Sequence, residues 1–268
     1  MLDLEFAHLS DRGRVRGHNE DYLGMAASAD GSRSPGWLFA LADGVGGQAM
    51  GEVASRLAVE TMLAAFPSAR ENESYSALLP RLVQDANLKV YEAGQSARPG
   101  GVAMATTIVA CALRHDRAVV SHVGDSRCYR IRRGECEPLT RDHTVAGEHH
   151  RLGMISAGEY GASLTRHVLS RSLGSDLVVA VETHEHPLFP GDLLLLCSDG
   201  LHGALAAAEI AEEIGDAFAI GGGLPEAVRG LVDLANRKDG SDNVSAQLIR
   251  IRAVERVGMY RGRPYKLA

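Results

Sequence analysis

Residues 106–139 read TTIVACALRHDRAVVSHVGDSRCYRIRRGECEPL. Three short runs rich in β-branched residues, 106–113, 118–123 and 127–132, are separated by turn residues, which is a strand pattern. Arg133-Gly134 predicts a hairpin turn from the third run into 135–139. Strands in such hairpin-like runs favour antiparallel sheets over a βαβ alternation.

Upstream, GWLFALA (36–42) is a short continuous apolar run, the pattern of a buried strand. Between 51 and 66, Ala54, Leu57, Ala58, Thr61, Met62 and Ala65 recur at helical spacing. Leu79, Leu82, Val83, Ala86, Val90 and Ala93 repeat the pattern in a second helix ending near Gly94. Downstream, strands are expected at 178–183, 192–197 and 244–251, with helices at 206–214 and 225–236 between the last two. The expected fold class is therefore α+β, with antiparallel sheets and helices grouped in pairs. Residues 144–163 are polar, rich in Gly and His and weakly periodic, and read as a mobile flap with short helical pieces. From residue 253 on, Arg256, Arg261, Arg263 and Lys266 stand against one acid, Glu255, and read as a loosely held basic tail.

The 268 residues are 45% hydrophobic and 23% charged, with 30 glycines and 9 prolines, which excludes a disordered or fibrous chain. Lys and Arg total 28 against 34 Asp and Glu, a net charge of −6 that argues against nucleic-acid binding. Cys111, Cys128, Cys136 and Cys197 show no CxxC spacing and are expected as reduced structural thiols. The start, MLDLEFAHLS, carries acids where a signal peptide needs cations. No apolar run approaches the ~18 residues of a membrane span. A soluble, cytoplasmic protein is expected.

Acids at strand ends are the informative feature. Asp43 follows GWLFALA, Asp199 follows LLLLCS, Asp125 follows VVSHVG, and Asp242 precedes NVSAQLIRI. A carboxylate at the edge of a buried strand is costly unless a charge compensates it. A single Asp-Gly is an ordinary turn signal, but turns do not require an Asp after each hydrophobic strand. Together with the Glu20-Asp21 pair these acids could converge, and such a cluster repels itself strongly without cations. An all-oxygen ligand set suits Mg²⁺ or Mn²⁺ rather than Zn²⁺.

In chain order, RGRVRGHNED, ALADGVGGQAMGEVAS, ATTIVACAL, VGDSRCYRIRRGE, LTRDHT, LLLLCSDGL and GSDNVS resemble the motifs of metal-dependent type 2C Ser/Thr protein phosphatases, bacterial ones above all. The resemblance runs from about Ser10 to Ile251. It implies a four-layer α/β/β/α sandwich, two antiparallel sheets flanked by helix pairs, over residues 1–252, with 253–268 as the basic tail. It implies that Asp43 bridges two Mn²⁺ or Mg²⁺ ions and that the Gly44 carbonyl is a ligand to one. Asp199 and Asp242 would complete the first ion's shell, Glu20 would lie beside the second, and Asp21 would support it from behind. Arg16 would hold the substrate phosphate, an anion whose geometry suits the guanidinium fork. Asn243 would brace the Asp242 loop, and the glycines of DGVGG would let backbone approach metal and phosphate. Asp125 resembles a ligand of a third, weak ion shared with Asp199; its plainer reading is a turn cap. The implied activity is hydrolysis of phosphoserine and phosphothreonine by direct attack of a water bridging two ions, without a phosphoenzyme. The implied partners are phosphoprotein substrates and a bacterial Ser/Thr kinase whose signalling the enzyme opposes, with the chain acting as a monomer.

The sequence departs from the family pattern in places. Val45 stands where eukaryotic relatives place a His as candidate general acid, so that role is unassigned. Arg151 falls where many bacterial relatives place a flap acid that helps bind the third ion. His149 and His150 nearby read as solvated flap residues, and His184 and His186 as structural or solvent-facing strand residues. Cys197 lacks the CxxxxxR loop of a thiol phosphatase. A non-catalytic phosphoprotein-binding or partner-switch module of the same fold would be marked by loss of Asp43, Asp199 or Asp242, and none is lost. The acidic balance counts against a two-metal nuclease.

Overall fold

Two five-stranded antiparallel sheets lie face to face in the computed structural model, which describes residues 2–27, 36–45, 50–69, 73–97, 104–260 and 263–266. One sheet has the order β1 (Asp3–Asp11), β10 (Val244–Ala253), β9 (Leu193–Cys197), β6 (Arg127–Arg132), β7 (Glu135–Pro138). The other has the order β2 (Asp21–Ala27), β3 (Trp37–Asp43), β4 (Ile108–Arg114), β5 (Arg117–Val123), β8 (Glu182–Pro187). Successive strand residues point to opposite faces, and in the central strands both faces are dry. Phe39, Leu41, Val109 and Cys111 meet Cys128, Leu194, Leu196 and Ile249 between the sheets. Leu38, Ala40, Ala42 and Ala110 face the other way, onto α1 (Gly51–Ala65) and α2 (Tyr75–Ser96). Leu195, Cys197, Ala246 and Leu248 pack under α6 (Ala207–Ala219) and α7 (Gly223–Lys238). A strand buried on both sides needs no polar face, which is why β3 and β9 are continuous apolar runs.

The four long helices stand where periodicity put them, and the α+β sandwich is the expected one. Three features differ from expectation. The strand expected at 178–183 begins at Glu182, opposite His122 of β5. The stretch before it is fastened to α2 instead: Asn87 donates to the carbonyls of Asp176 (3.0 Å) and Leu177 (3.2 Å), and the Gln84 amide pairs with the Val179 backbone. β1 and β2 were not expected, and β1 pairs with β10 from Asp3↔Ala253 to Asp11↔Val244. The basic tail, in which no strand is expected, carries a hairpin of β11 (Val257–Tyr260) and β12 (Arg263–Lys266) that pairs within itself. Main-chain pairing of this kind is invisible to a count of charges.

The proposed flap contains α3 (Val145–Arg151) and α4 (Ala157–Ala162), both capped at the start. The Thr144 hydroxyl accepts from the Gly147 amide, and Ser156 and Glu159 form a reciprocal capping box. All four cysteines are free, and Cys111, Cys128 and Cys197 are fully buried. Among the described residues no helix is long and apolar enough to cross a membrane.

Candidate metal centre

The last residue of β3 is Asp43, and directly across the ladder from it the first residue of β2 is Asp21. Asp199 opens α5 (Asp199–His202), a single helical turn that follows β9. Asp242 lies two residues before β10, and Asp125 sits in the turn between β5 and β6. Strand ends from both sheets thus meet at one edge of the sandwich, around a cavity of about 770 Å³. Arg16, Glu20, Asp43, Gly44, Asp125, Asp199 and Asp242 all line it. Asp21 does not: it lies behind, only 7% exposed, with Oδ2 accepting from the Ser198 hydroxyl at 2.8 Å. Gly46 and Gly47 of the DGVGG loop lie outside the described residues.

The backbone around these acids is pinned by neighbours. The Asp43 carbonyl accepts from the Thr106 hydroxyl and the Thr107 amide, each at 2.8 Å, while the Asp43 amide donates to the Thr107 hydroxyl at 2.9 Å. Gly44 donates to the Glu20 carbonyl at 3.0 Å, and a Cβ at this position would collide with the Gly51 carbonyl. That close approach requires glycine. Asn243 is the hub of the adjoining loop. Its Oδ1 accepts from the Glu20 amide (2.8 Å), and its Nδ2 donates to the carbonyls of Arg12 (2.8 Å) and His18 (3.0 Å). The expected brace therefore reaches across to the 12–20 loop that carries Arg16 and Glu20.

The acids disturb one another. Burial, then the charges of Asp21, Asp199 and Asp125, holds the Asp43 carboxyl well above the usual carboxylate range. Burial and the neighbouring Asp199 do the same to Asp125, and burial and Asp242 raise Asp199. Burial lifts Asp21 to about 7, and Glu20 is raised mainly by burial. Asp21 Oδ1 is buried without any hydrogen-bond partner. A carboxylate cluster that resists its own ionisation, built from oxygen donors alone and holding an orphaned oxygen, fits hard divalent cations.

Arg16 stands at the rim, its Nη2 donating to Asp242 Oδ2 at 2.7 Å. On the opposite rim, Arg166 and His167 line the cavity from the segment after α4. Arg166 Nε donates to His167 Nε2 at 2.7 Å, and His167 Nδ1 lies 4.0 Å from Asp199 Oδ2. Arg151 is elsewhere: it pairs with Glu148 at 2.7 Å and lines a second cavity, together with His150. Sequence reasoning missed Thr106, Thr107, Ser198 and His202 as supports. Their only signal was position, polar residues set beside strand-end acids. His202 is the most removed of them, its Nε2 lying 2.9 Å from the Asp125 carbonyl oxygen.

A second group of titratable residues, His122, His143 and Glu182, brings its ligand atoms within 4.8 Å of one another. Its rings are stacked, with centroids 4.5 Å apart and planes 15° apart, so their in-plane lone pairs run side by side instead of converging. His143 Nδ1 also accepts from the Gly124 amide at 3.2 Å, which puts the ring proton on Nε2, the atom 3.3 Å from Glu182. The group is a hydrogen-bonded brace for the turn at Gly124.

A family model described as protein phosphatase 2C matches residues 14–231. The chain belongs to the protein phosphatase 2C family. It is 33% identical over 260 residues to the serine/threonine phosphatase stp of Listeria innocua, covering 95% of this chain and 96% of that one. Among solved structures it resembles the serine/threonine phosphatase PstP/Ppp of Mycobacterium tuberculosis, at 32% identity and a TM-score of 0.80, over 94% of this chain and 100% of that one. The catalytic domain of PstP in complex with two manganese ions aligns with a TM-score of 0.77 at 32% identity, over the same shares of the two chains. This 2C-type phosphatase is a metal-dependent hydrolase that works with Mn²⁺ or Mg²⁺.

Proposed function

We propose that this chain removes phosphate from phosphoserine and phosphothreonine in proteins modified by a Ser/Thr kinase, acting as a cytoplasmic monomer. One observation carries the reading: Glu20, Asp43, Gly44, Asp125, Asp199 and Asp242 lie around one cavity, with the Arg16 guanidinium at its rim. Asp43, Glu20, Asp199, Asp242 and the Gly44 carbonyl would hold two Mn²⁺ or Mg²⁺ ions, and Asp125 with Asp199 a weaker third. When bound, the ions supply an acidified water and positive charge against the developing negative charge on the phosphoryl group.

The chain's own residues do the rest. Asp21 stays behind Asp43, and its charge would develop fully only when cations compensate it. Arg16 exchanges its bond to Asp242 for the phosphate oxygens and orients the ester. Thr106, Thr107 and Asn243 fix the backbone that carries Asp43 and Glu20, so the acids need little rearrangement during reaction. Val45 offers no proton, so the leaving oxygen takes one from solvent in the open cavity. Cys197 is fully buried under α6 and α7 and takes no part. The monomer reading rests on sheet faces already covered within the chain, and the cytoplasmic one on four unpaired thiols.

The test is phosphate release from a phosphoserine peptide by protein stripped with EDTA, then resupplied with Mn²⁺ or Mg²⁺. Activity is expected only after resupply. Robust turnover in EDTA would overturn the assignment, and cleavage of a nucleic acid instead of the peptide would redirect it to a nuclease.

A further inference from the structure

Asp125 lies in the turn that passes from β5 of one sheet into β6 of the other, Asp199 follows β9, the strand paired with β6, and their carboxylates repel. Each sits at a junction between two elements. Asp199 begins a four-residue helix, and Asp125 follows Gly124, whose φ of +103° puts it in the region that favours glycine. The Gly124 side of that turn is well held. His143 donates its amide to the Gly124 carbonyl at 3.0 Å and accepts the Gly124 amide on Nδ1. On the other side Ser126 pairs its hydroxyl with that of Thr107 at 2.7 Å, and the Asp125 carbonyl itself is held by His202. This residue ends the helical turn that Asp199 begins, and its ring reaches back 2.9 Å to the Asp125 carbonyl. A carbonyl only accepts, so Nε2 carries the proton and donates. One planar side chain therefore spans the gap between the two acids' backbones.

We propose that His202 is a positioning residue: its hydrogen bond sets the separation of Asp125 from Asp199, and so the affinity of the weak ion these two carboxylates share. The proposal rests on assigning Asp125 to that ion. Two carboxylates that must present oxygens to one hard ion tolerate little error in spacing, above all for Mg²⁺ with its near-ideal octahedral demand. Without the tie, repulsion between Asp125 and Asp199 is opposed only through Asp125's chain neighbours: the Gly124 turn on one side, and on the other the Ser126 hydroxyl paired with Thr107 at 2.7 Å and the β6–β9 ladder that starts at Arg127 opposite Cys197. The mobile acid is then Asp125, because Asp199 is anchored by β9 and by the main-chain bonds of its helical turn.

The experiment compares wild type, His202→Leu, His202→Gln and Asp125→Ala, each as intact protein freed of metal. Leu removes the donor and keeps apolar volume, while Gln places an amide N–H at about the reach of Nε2. Mn²⁺ binding is followed calorimetrically, beside thermal melts and steady-state kinetics on a phosphopeptide. The weakest binding event is expected to weaken ~10-fold or more in His202→Leu, the scale for losing a group that orients a metal ligand. The tighter events and the peptide KM should hold, His202→Gln should recover most of the loss, and His202→Leu should add nothing in an Asp125→Ala background. Loss of the weak event in Asp125→Ala but not in His202→Leu overturns the proposal alone. A weak event untouched by Asp125→Ala overturns the assignment of Asp125 and the proposal with it. A lower melting temperature with an unchanged Mn²⁺ isotherm would make His202 merely structural. If His202→Leu does not fold, His202→Asn replaces it, since its shorter amide cannot reach the carbonyl. Equal Mn²⁺ binding by the Asn and Gln variants then refutes the idea.

Discussion

Replacing Asp21 by Asn should make the metal-free protein more stable, although the residue lies behind the catalytic acids. Asp21 is buried, and its carboxyl is lifted from an ordinary 3.8 to about 7. Each tenfold is worth about 1.4 kcal/mol, so ionised Asp21 burdens the folded state by roughly 4 kcal/mol. The sign follows from proton counting. Below about pH 4 the side chain is protonated in both states and costs nothing. Between 4 and 7 the unfolded chain releases the proton while the folded one keeps it, so stability falls as pH rises, and above 7 the full cost is present. Asn keeps the shape and the bond from Ser198 Oγ, at the expense of about 1 kcal/mol for a buried amide hydrogen that lacks a partner. The net gain of about 3 kcal/mol corresponds to roughly 10 °C in melting temperature for a chain of this size. Melting EDTA-treated wild type and Asp21→Asn across pH 4.5–8.5 tests this, because the buried histidines cancel in the difference. The difference should grow from near zero at the acid end to its maximum above pH 7, and shrink when Mn²⁺ is added. A gain that is absent, or equal at both ends of the range, refutes the view that uncompensated carboxylate charge governs this site.

Asp43→Asn should lower kcat by at least ~10³ at saturating Mn²⁺, the scale of a lost electrostatic contact to the reacting group; a loss under tenfold would remove Asp43 from the centre. Arg16→Ala should raise KM for a phosphopeptide more than it lowers kcat, and Arg16→Lys should recover little, since a point charge does not reproduce the fork. A wild-type KM in the Ala variant would place the phosphate elsewhere. Gly200→Ala puts a Cβ into the Asn243 carbonyl. It should cost about 1–3 kcal/mol in urea unfolding and weaken Mn²⁺ binding by displacing Asp242; unchanged values for both would show that the loop simply yields.

The fold was legible where burial is two-sided or periodic. GWLFALA and LLLLC announced β3 and β9 because each strand is covered by the facing sheet on one side and by helices on the other. β1 escaped notice because it is an edge strand whose Leu4, Phe6 and Leu9 are only partly buried, diluted by acids and His8. β8 was misplaced because Val178 and Val179 carry strand propensity, yet their neighbourhood is claimed by two amides of α2. The acids at strand ends were readable from charge alone, since an Asp closing an apolar strand is expensive wherever it falls. Their supports were not readable. Nothing in the residue type of His202 or Thr107 says which backbone group it will meet, because that depends on how the two sheets dock.

The pairing of β1 with β10 bears on how the protein is made. These strands join residues 3–11 to residues 244–253, so one edge of the first sheet cannot close until residue 253 has left the ribosome. β2 to β5, with α1 and α2, need no residue beyond Val123 for their own ladders and can assemble earlier. A nascent chain that ends there carries Glu20 and Asp43 but not Asp125, Asp199 or Asp242. Hydrolytic competence therefore waits until Asp242 and the strand behind it have been made, and a copy that stops short of them has no means of acting on a phosphorylated target.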